Sequence, residues 1–133
     1  MSLMRAISIW QPWAWLIVHG YKPIENRTWQ LSYKGPLAIH AGKRMGREQE
    51  ADYKEICRLF PDLIPRMPAL RDMPTGGIVG VVNMVDCVTA HKSPWFHGPF
   101  GFVFVDAEPT EFVAFPGKQG LFPVNSSFVR RQQ

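Results

Sequence analysis

The chain has 133 residues, 46 % of them hydrophobic and 20 % charged, which suits one globular domain with a real core. No apolar run approaches the roughly 20 residues that span a bilayer, so no membrane segment is expected. The opening residues lack the profile of a signal peptide. Two cysteines, Cys57 and Cys87, permit one disulfide at most and read as reduced thiols of a cytoplasmic protein. The net charge of +4 leans toward a polyanionic partner without naming one.

Met1-Ser2-Leu3 reads as an added leader before Met4. Arg5 to Trp10 is a strand with Ile7 and Ile9 on one face. Pro12 suits the first turn of a short helix, which carries Trp13, Leu16 and Ile17 at helical spacing and stops at Gly20. Ile24 to Trp29 is a second strand, whose alternation puts Glu25, Arg27 and Trp29 on one face. Leu37 to Ala41 is a third. Gly46 to Phe60 is an amphipathic helix with Tyr53, Ile56, Cys57 and Phe60 as its apolar stripe. Pro61 to Pro74 reads as an irregular surface excursion. Ile78 to Val88, Phe100 to Val105, Glu111 to Phe115 and Leu121 to Val124 complete a set of seven strands. Between two of them lies a loop, Ala90 to Pro99. The tail from Ser126 is polar and basic and is expected to fray. Seven short strands with two helices, without βαβ alternation, indicate an α+β domain. The expected architecture is a small mixed β-barrel or half-barrel. One domain spans residues 1–133.

No Cys-x-x-Cys pair and no His/Cys cluster with zinc spacing is present, so no metal or other cofactor is expected. The chemistry concentrates between Ser8 and Trp29, where four tryptophans meet a lysine, a glutamate and an arginine. Two of those tryptophans, Trp13 and Trp15, point about 200° apart on a helix and therefore do different jobs.

The run Ser8-Ile9-x-Gln11-Pro12-Trp13-Ala14-x-Leu16-Ile17, followed by Gly20-x-Lys22-x-x-Glu25-x-Arg27-x-Trp29, resembles the signature of the ASCH domain, a PUA-like β-barrel. Lys34 to Ala41, Gly77 to Val82 with Asp86-Cys87, and Gly117 to Phe122 resemble later segments of that family in the right order. The resemblance runs from about residue 5 to 125. It implies a cleft beside the first helix and binding of RNA or another nucleic acid, often in coactivator or RNA-metabolism settings. Some small relatives are amidohydrolases that deacetylate acetylcytidine with a lysine, a threonine and a glutamate. Their lysine falls on Lys22, their threonine position holds Glu25, and their second-strand arginine falls on Arg27. Their glutamate has no counterpart after Val88. A ribonuclease activity has also been proposed within the family.

Each candidate has a structural and a functional role open to it. Lys22, just past a helix end, either complements the helix carbonyls or faces a ligand carbonyl or phosphate. Glu25 and Arg27 either brace the barrel mouth as an ion pair or engage a base and a phosphate. Trp13 packs under the cleft or stacks on a nucleobase. Ser8 and Gln11 cap the strand-to-helix junction or contact a ligand there. His40, on the third strand, is a structural histidine or a neighbour of Glu25. Lys43 and Arg44, with Arg47, Lys34 and the Arg130-Arg131 tail, are solvated or line a groove for a phosphate backbone.

Three functions follow. The first is an RNA- or nucleotide-binding domain that uses Gln11, Trp13, Lys22, Glu25, Arg27, His40, Lys43 and Arg44. The second is a hydrolase, either an amidohydrolase on a modified nucleoside or a ribonuclease, with Lys22 and Glu25 as its catalytic pair. The third is a protein-interaction module that presents Trp95 and Phe96 from the loop after Val88.

Overall fold

The computed structural model describes residues 3–131. Met1 and Ser2 of the expected leader, and Gln132 and Gln133 of the tail, lie outside the described residues. The first strand, β1, runs Leu3–Ile9, and the first helix, α1, is Trp13–Val18. Next come β2 at Ile24–Arg27, β3 at Gly35–Ala41 and a second helix, α2, at Arg47–Leu59. The remaining strands are β4 at Gly77–Val88, β5 at Phe100–Ala114, β6 at Leu121–Asn125 and β7 at Arg130–Arg131.

The seven strands make one mixed sheet in the order β2-β5-β4-β3-β1-β6, with β7 added to β5. Only β1 and β3, among the described residues, run parallel, and the connection between them carries α1 and β2. Among the described residues no ladder joins β2 to β6, so the expected α+β class holds while the barrel is not closed.

Helix α1 is short because its ends are fixed from outside. The Gln11 side chain accepts from Trp15 N at 2.8 Å, satisfying a first-turn N–H that has no partner within the helix. At the other end Gly20 adopts φ +83°, a conformation that costs an L side chain energy. The chain then folds back so that the N–H groups of Tyr21 and Lys22 both reach Leu16 O. That reversal puts Lys22 directly before β2. Helix α2 opens with the Gln49 Oε1 acceptor on Gly46 N and with Glu48 and Glu50 in its first turn, where acids suit the helix dipole.

Burial follows the pattern of the sequence. Ile7, Ile9, Ile17, Val18, Leu37, Ile39 and Phe102 form a cluster between α1 and the sheet. Leu16, Ile24 and Ile56 form a second with Leu63, Met67 and Trp95.

Three expectations are corrected. Residues 100–105 and 111–115 are one strand, β5, not two. Asp106, at φ +55°, and register shifts against β4 absorb the irregular stretch, so the ladder continues through a segment that reads as a turn. Residues 61–74 are no simple excursion: two short 3-10 turns form there, and Leu63, Met67 and Met73 are buried. The tail does not simply fray, since Arg130 and Arg131 pair with Glu111 and Thr110 of β5.

Candidate functional site

Glu25 is the centre of the site. It lies on β2, opposite Phe102 of β5, with only 9 % of its surface exposed. A carboxylate so placed is costly unless its oxygens are paired. Here both are. Oε1 accepts from Lys22 Nζ at 3.2 Å, and Oε2 accepts from Arg27 Nε at 3.1 Å. The period-two spacing of β2 puts Arg27 beside Glu25, and the turn after Gly20 brings Lys22 to its other side. Arg27 then reaches across to β1, where its Nη2 donates to Ser8 O at 2.9 Å.

Lys22 is 3 % exposed. Its ammonium also donates to Ile24 O and sits 5.4 Å from the centre of the Trp13 ring. Burial holds its pKa below the ordinary value of 10.5; the Glu25 charge and hydrogen bond oppose that shift.

Glu25 and Arg27 of this network line a cleft of about 610 Å³. Trp10, Trp13 and Trp29 wall it, Ser8, Asn26 and Arg27 line it, and Lys118-Gln119-Gly120 closes it from the far side. The Trp13 indole is held in place by its Nε1–H, which donates to Asp52 Oδ2 of α2 at 3.1 Å. Trp29 packs edge-on against Phe102, with ring centres 5.1 Å apart. Lys118 and Gln119 arrive because β6 pairs antiparallel with β1, placing Leu121 against Ile7.

Behind Glu25 lies a smaller cavity of about 180 Å³, bounded by Trp13, Lys22, Asn26, Trp95 and His97. Glu25, Asn26 and Trp13 separate it from the main cleft. Asn26 ties the loop before β5 onto β2. Its Nδ2 donates to Trp95 O at 2.9 Å, and its Oδ1 accepts from His97 N at 2.8 Å and Gly98 N at 3.1 Å.

Of the residues expected in the site, the structure gathers Trp13, Lys22, Glu25 and Arg27. Gln11 is not among them. It is 1 % exposed, with its amide spent on Trp15 N and Pro74 O, and it borders a separate cavity beyond α1. His40 is not beside Glu25, because β3 pairs with β1 and β4 and not with β2. Its Nε2 lies 2.6 Å from the Phe115 carbonyl, which only accepts, so that nitrogen carries the proton. Nδ1 then accepts from Ser8 Oγ at 3.0 Å, and burial lowers the histidine pKa. Lys43 borders another cavity next to the cleft, and Arg44 lies 5.1 Å from the centre of the Trp10 ring. The tail arginines lie away from this face, with Arg131 paired to Glu108. Trp95 is buried against Phe60, with ring centres 4.2 Å apart, so it is not displayed to a partner.

Trp10 and Trp29, whose rings suit a core as well as a ligand, join the site, as do Asn26, Lys118 and Gln119, with Asp52 holding Trp13; the sequence alone singles out none of these as site residues. One signal was available: a basic residue in the glycine turn Gly117 to Gly120, just before a strand. Among the described residues, no group of three or more His, Cys, Asp or Glu side chains is placed to hold a metal, and no helix is long and apolar enough to cross a membrane.

Comparison with known proteins settles the family. The model of the ASCH domain matches residues 7–100. This chain belongs to the ASCH domain family. Activating signal cointegrator 1 of Mus musculus is 32 % identical over 123 positions, covering 84 % of this chain and 20 % of that protein. The Homo sapiens protein of the same name is 31 % identical over 122 positions, with the same coverage. The chain therefore spans about a fifth of the length of these relatives. The crystal structure of ASCH from Zymomonas mobilis superposes with a TM-score of 0.53 at 16 % identity, covering 93 % of this chain and 89 % of that one. A point mutant of the same protein gives a TM-score of 0.55, covering 93 % of this chain and 91 % of that one. At 16 % identity these structures speak to the fold alone.

Proposed function

We propose that this ASCH domain binds RNA or a nucleotide in the cleft between α1 and β2. One observation carries the reading: a carboxylate clamped between two cations at the floor of a cleft walled by three indoles. Glu25 would accept from a base amino group, Arg27 would meet a phosphate, and Trp13 and Trp29 would pack on the base. The family membership and the positive net charge support the same class of ligand. The finer architecture belongs to this proposal as well: a PUA-like barrel left open between β2 and β6. So does a cytoplasmic setting, which two free cysteines suit.

The test is a panel of nucleosides, nucleotides and short RNAs read by thermal shift. A ligand at ten times its dissociation constant stabilises by about 1.4 kcal/mol. Arg27→Ala is expected to abolish the shift. A panel that leaves the melting temperature of the wild-type protein unchanged rejects the reading.

A second reading, a hydrolase acting on an acylated nucleoside through Lys22 and Glu25, draws support from the buried lysine. An amine held below its ordinary pKa beside a carboxylate is a fair proton carrier. Against it, Lys22 borders the small cavity behind Glu25 and not the main cleft, and its ammonium is already bonded to Ile24 O and Glu25. Turnover of acetylated cytidine that is lost in Lys22→Ala would favour this reading over simple binding. The cointegrator name of the mammalian relatives points to a protein partner in addition; Trp95, being buried, is a poor candidate for that contact.

A further inference from the structure

We infer that the ligand is a single strand of at least two nucleotides that leaves the main cleft over Trp10 and enters a second, basic cavity. This rests on the nucleotide reading of the main cleft and extends it. The second cavity, of about 480 Å³, shares a wall with the first: Ser8, Trp10, Lys118 and Gln119 border both. The two spaces thus meet at a ridge. Trp10 forms that ridge, is 40 % exposed, and is the only one of the five tryptophans to border both.

The ridge is fixed in place. A Cβ at Gly42 would come within 2.8 Å of Trp10 Cδ1, so the indole edge rests directly on glycine backbone. Glycine has a similar role deeper in the cavity, where a Cβ at Gly117 would come within 2.8 Å of His40 Cε1. At both positions the missing side chain lets a ring pack directly on the backbone.

The charge on the two sides of the ridge differs. Lys118 borders both, but the main cleft also holds Glu25, whereas among the described residues no Asp or Glu lines the second cavity. Lys43 and Lys118 are exposed at its wall, and neither takes part in an ion pair among the described residues. Unpaired ammonium groups around a space without acids suit phosphate oxygens. A base in the main cleft, the face of the Trp10 indole that Arg44 leaves open for its neighbour, and lysines for the linking phosphate describe an unpaired strand. In a duplex the bases are stacked on each other and their faces are closed to Trp10.

The test compares uridine 5′-monophosphate, a mixed-sequence hexaribonucleotide and a blunt RNA duplex that contains the same hexamer sequence without a loop. Calorimetry on the wild-type chain is expected to show the hexamer binding at least tenfold more tightly than the monophosphate and the duplex. Lys43→Glu, an exposed change outside the main cleft, should weaken the hexamer about tenfold and leave the monophosphate within twofold. It should also flatten the salt dependence of hexamer binding by about 0.7 in log–log slope, one phosphate on a single strand. A hexamer no tighter than the monophosphate, or unaffected by Lys43→Glu, overturns the two-cavity path while leaving the main cleft as a nucleotide site. Failure of both ligands to bind overturns the nucleotide reading and this extension together.

Discussion

The two cavities on either side of Trp10 handle charge in opposite ways. In the main cleft Glu25 is paired on both oxygens, with Arg27 beside it and Lys22 behind it, and Arg27 also holds Ser8 O. In the second cavity Lys43, and Lys118 on the wall the two spaces share, face solvent without a carboxylate among the lining residues described. Buried, paired charges fix geometry and are expensive to disturb. Exposed, unpaired ones add little to stability and respond strongly to salt. One region should therefore lose fold and function together, and the other should lose function alone.

The largest effect is expected on the paired side. Glu25→Ala leaves two cations without their counter-ion, one of them almost fully buried, and should cost about 3–5 kcal/mol in urea unfolding. Trp95→Ala should cost a similar amount, about 3–5 kcal/mol, because it empties the space against Phe60 and loosens the loop that Asn26 holds. Arg27→Ala should cost about 2 kcal/mol of stability, from charge-assisted bonds to Glu25 and Ser8 O, as well as nucleotide binding.

His40 gives a smaller effect with a definite sign. Its pKa in the folded state lies below the ordinary 6.5, first because of burial, although the bond to Phe115 O pulls the other way. Below about 6.5 the unfolded chain therefore takes up the proton more readily than the folded one. Stability should fall as pH drops through and below that value, and His40→Asn should reduce this slope when melting is followed from pH 8 to 5. A wild-type slope unchanged by the substitution would show that other groups set it. The smallest expected effect is on the unpaired side: Lys43→Ala should change stability by no more than about 0.5 kcal/mol in the same urea assay. A larger loss would mean that the contrast between the cavities does not hold.

Much of the paired side was legible in the sequence because it is local. Glu25 and Arg27 share a face through strand periodicity, and Gly20 ends the helix so that Lys22 precedes them. What was not legible depends on distant pairings. Gln11 looks like a cleft residue until Pro74, 63 positions away, takes its amide. Trp13 is held by Asp52 from a helix 39 positions on. Lys118 and Gln119 reach the cleft only because β6 returns beside β1. His40 was expected near Glu25, and sheet order alone decides otherwise. Strand β5 was read as two because Asp106 to Thr110 has the composition of a turn, yet its ladder bonds are made with β4 across the irregularity.

The five tryptophans offer a direct probe of where the ligand sits, since each indole N–H gives its own resonance. In a ¹H–¹⁵N titration with uridine 5′-monophosphate, the signals of Trp10, Trp13 and Trp29 should move while that of Trp15, stacked against His19 and Tyr21 on the far side of α1, stays still. Movement of Trp15 alone, or of no indole at saturating nucleotide, would contradict a nucleotide site in this cleft.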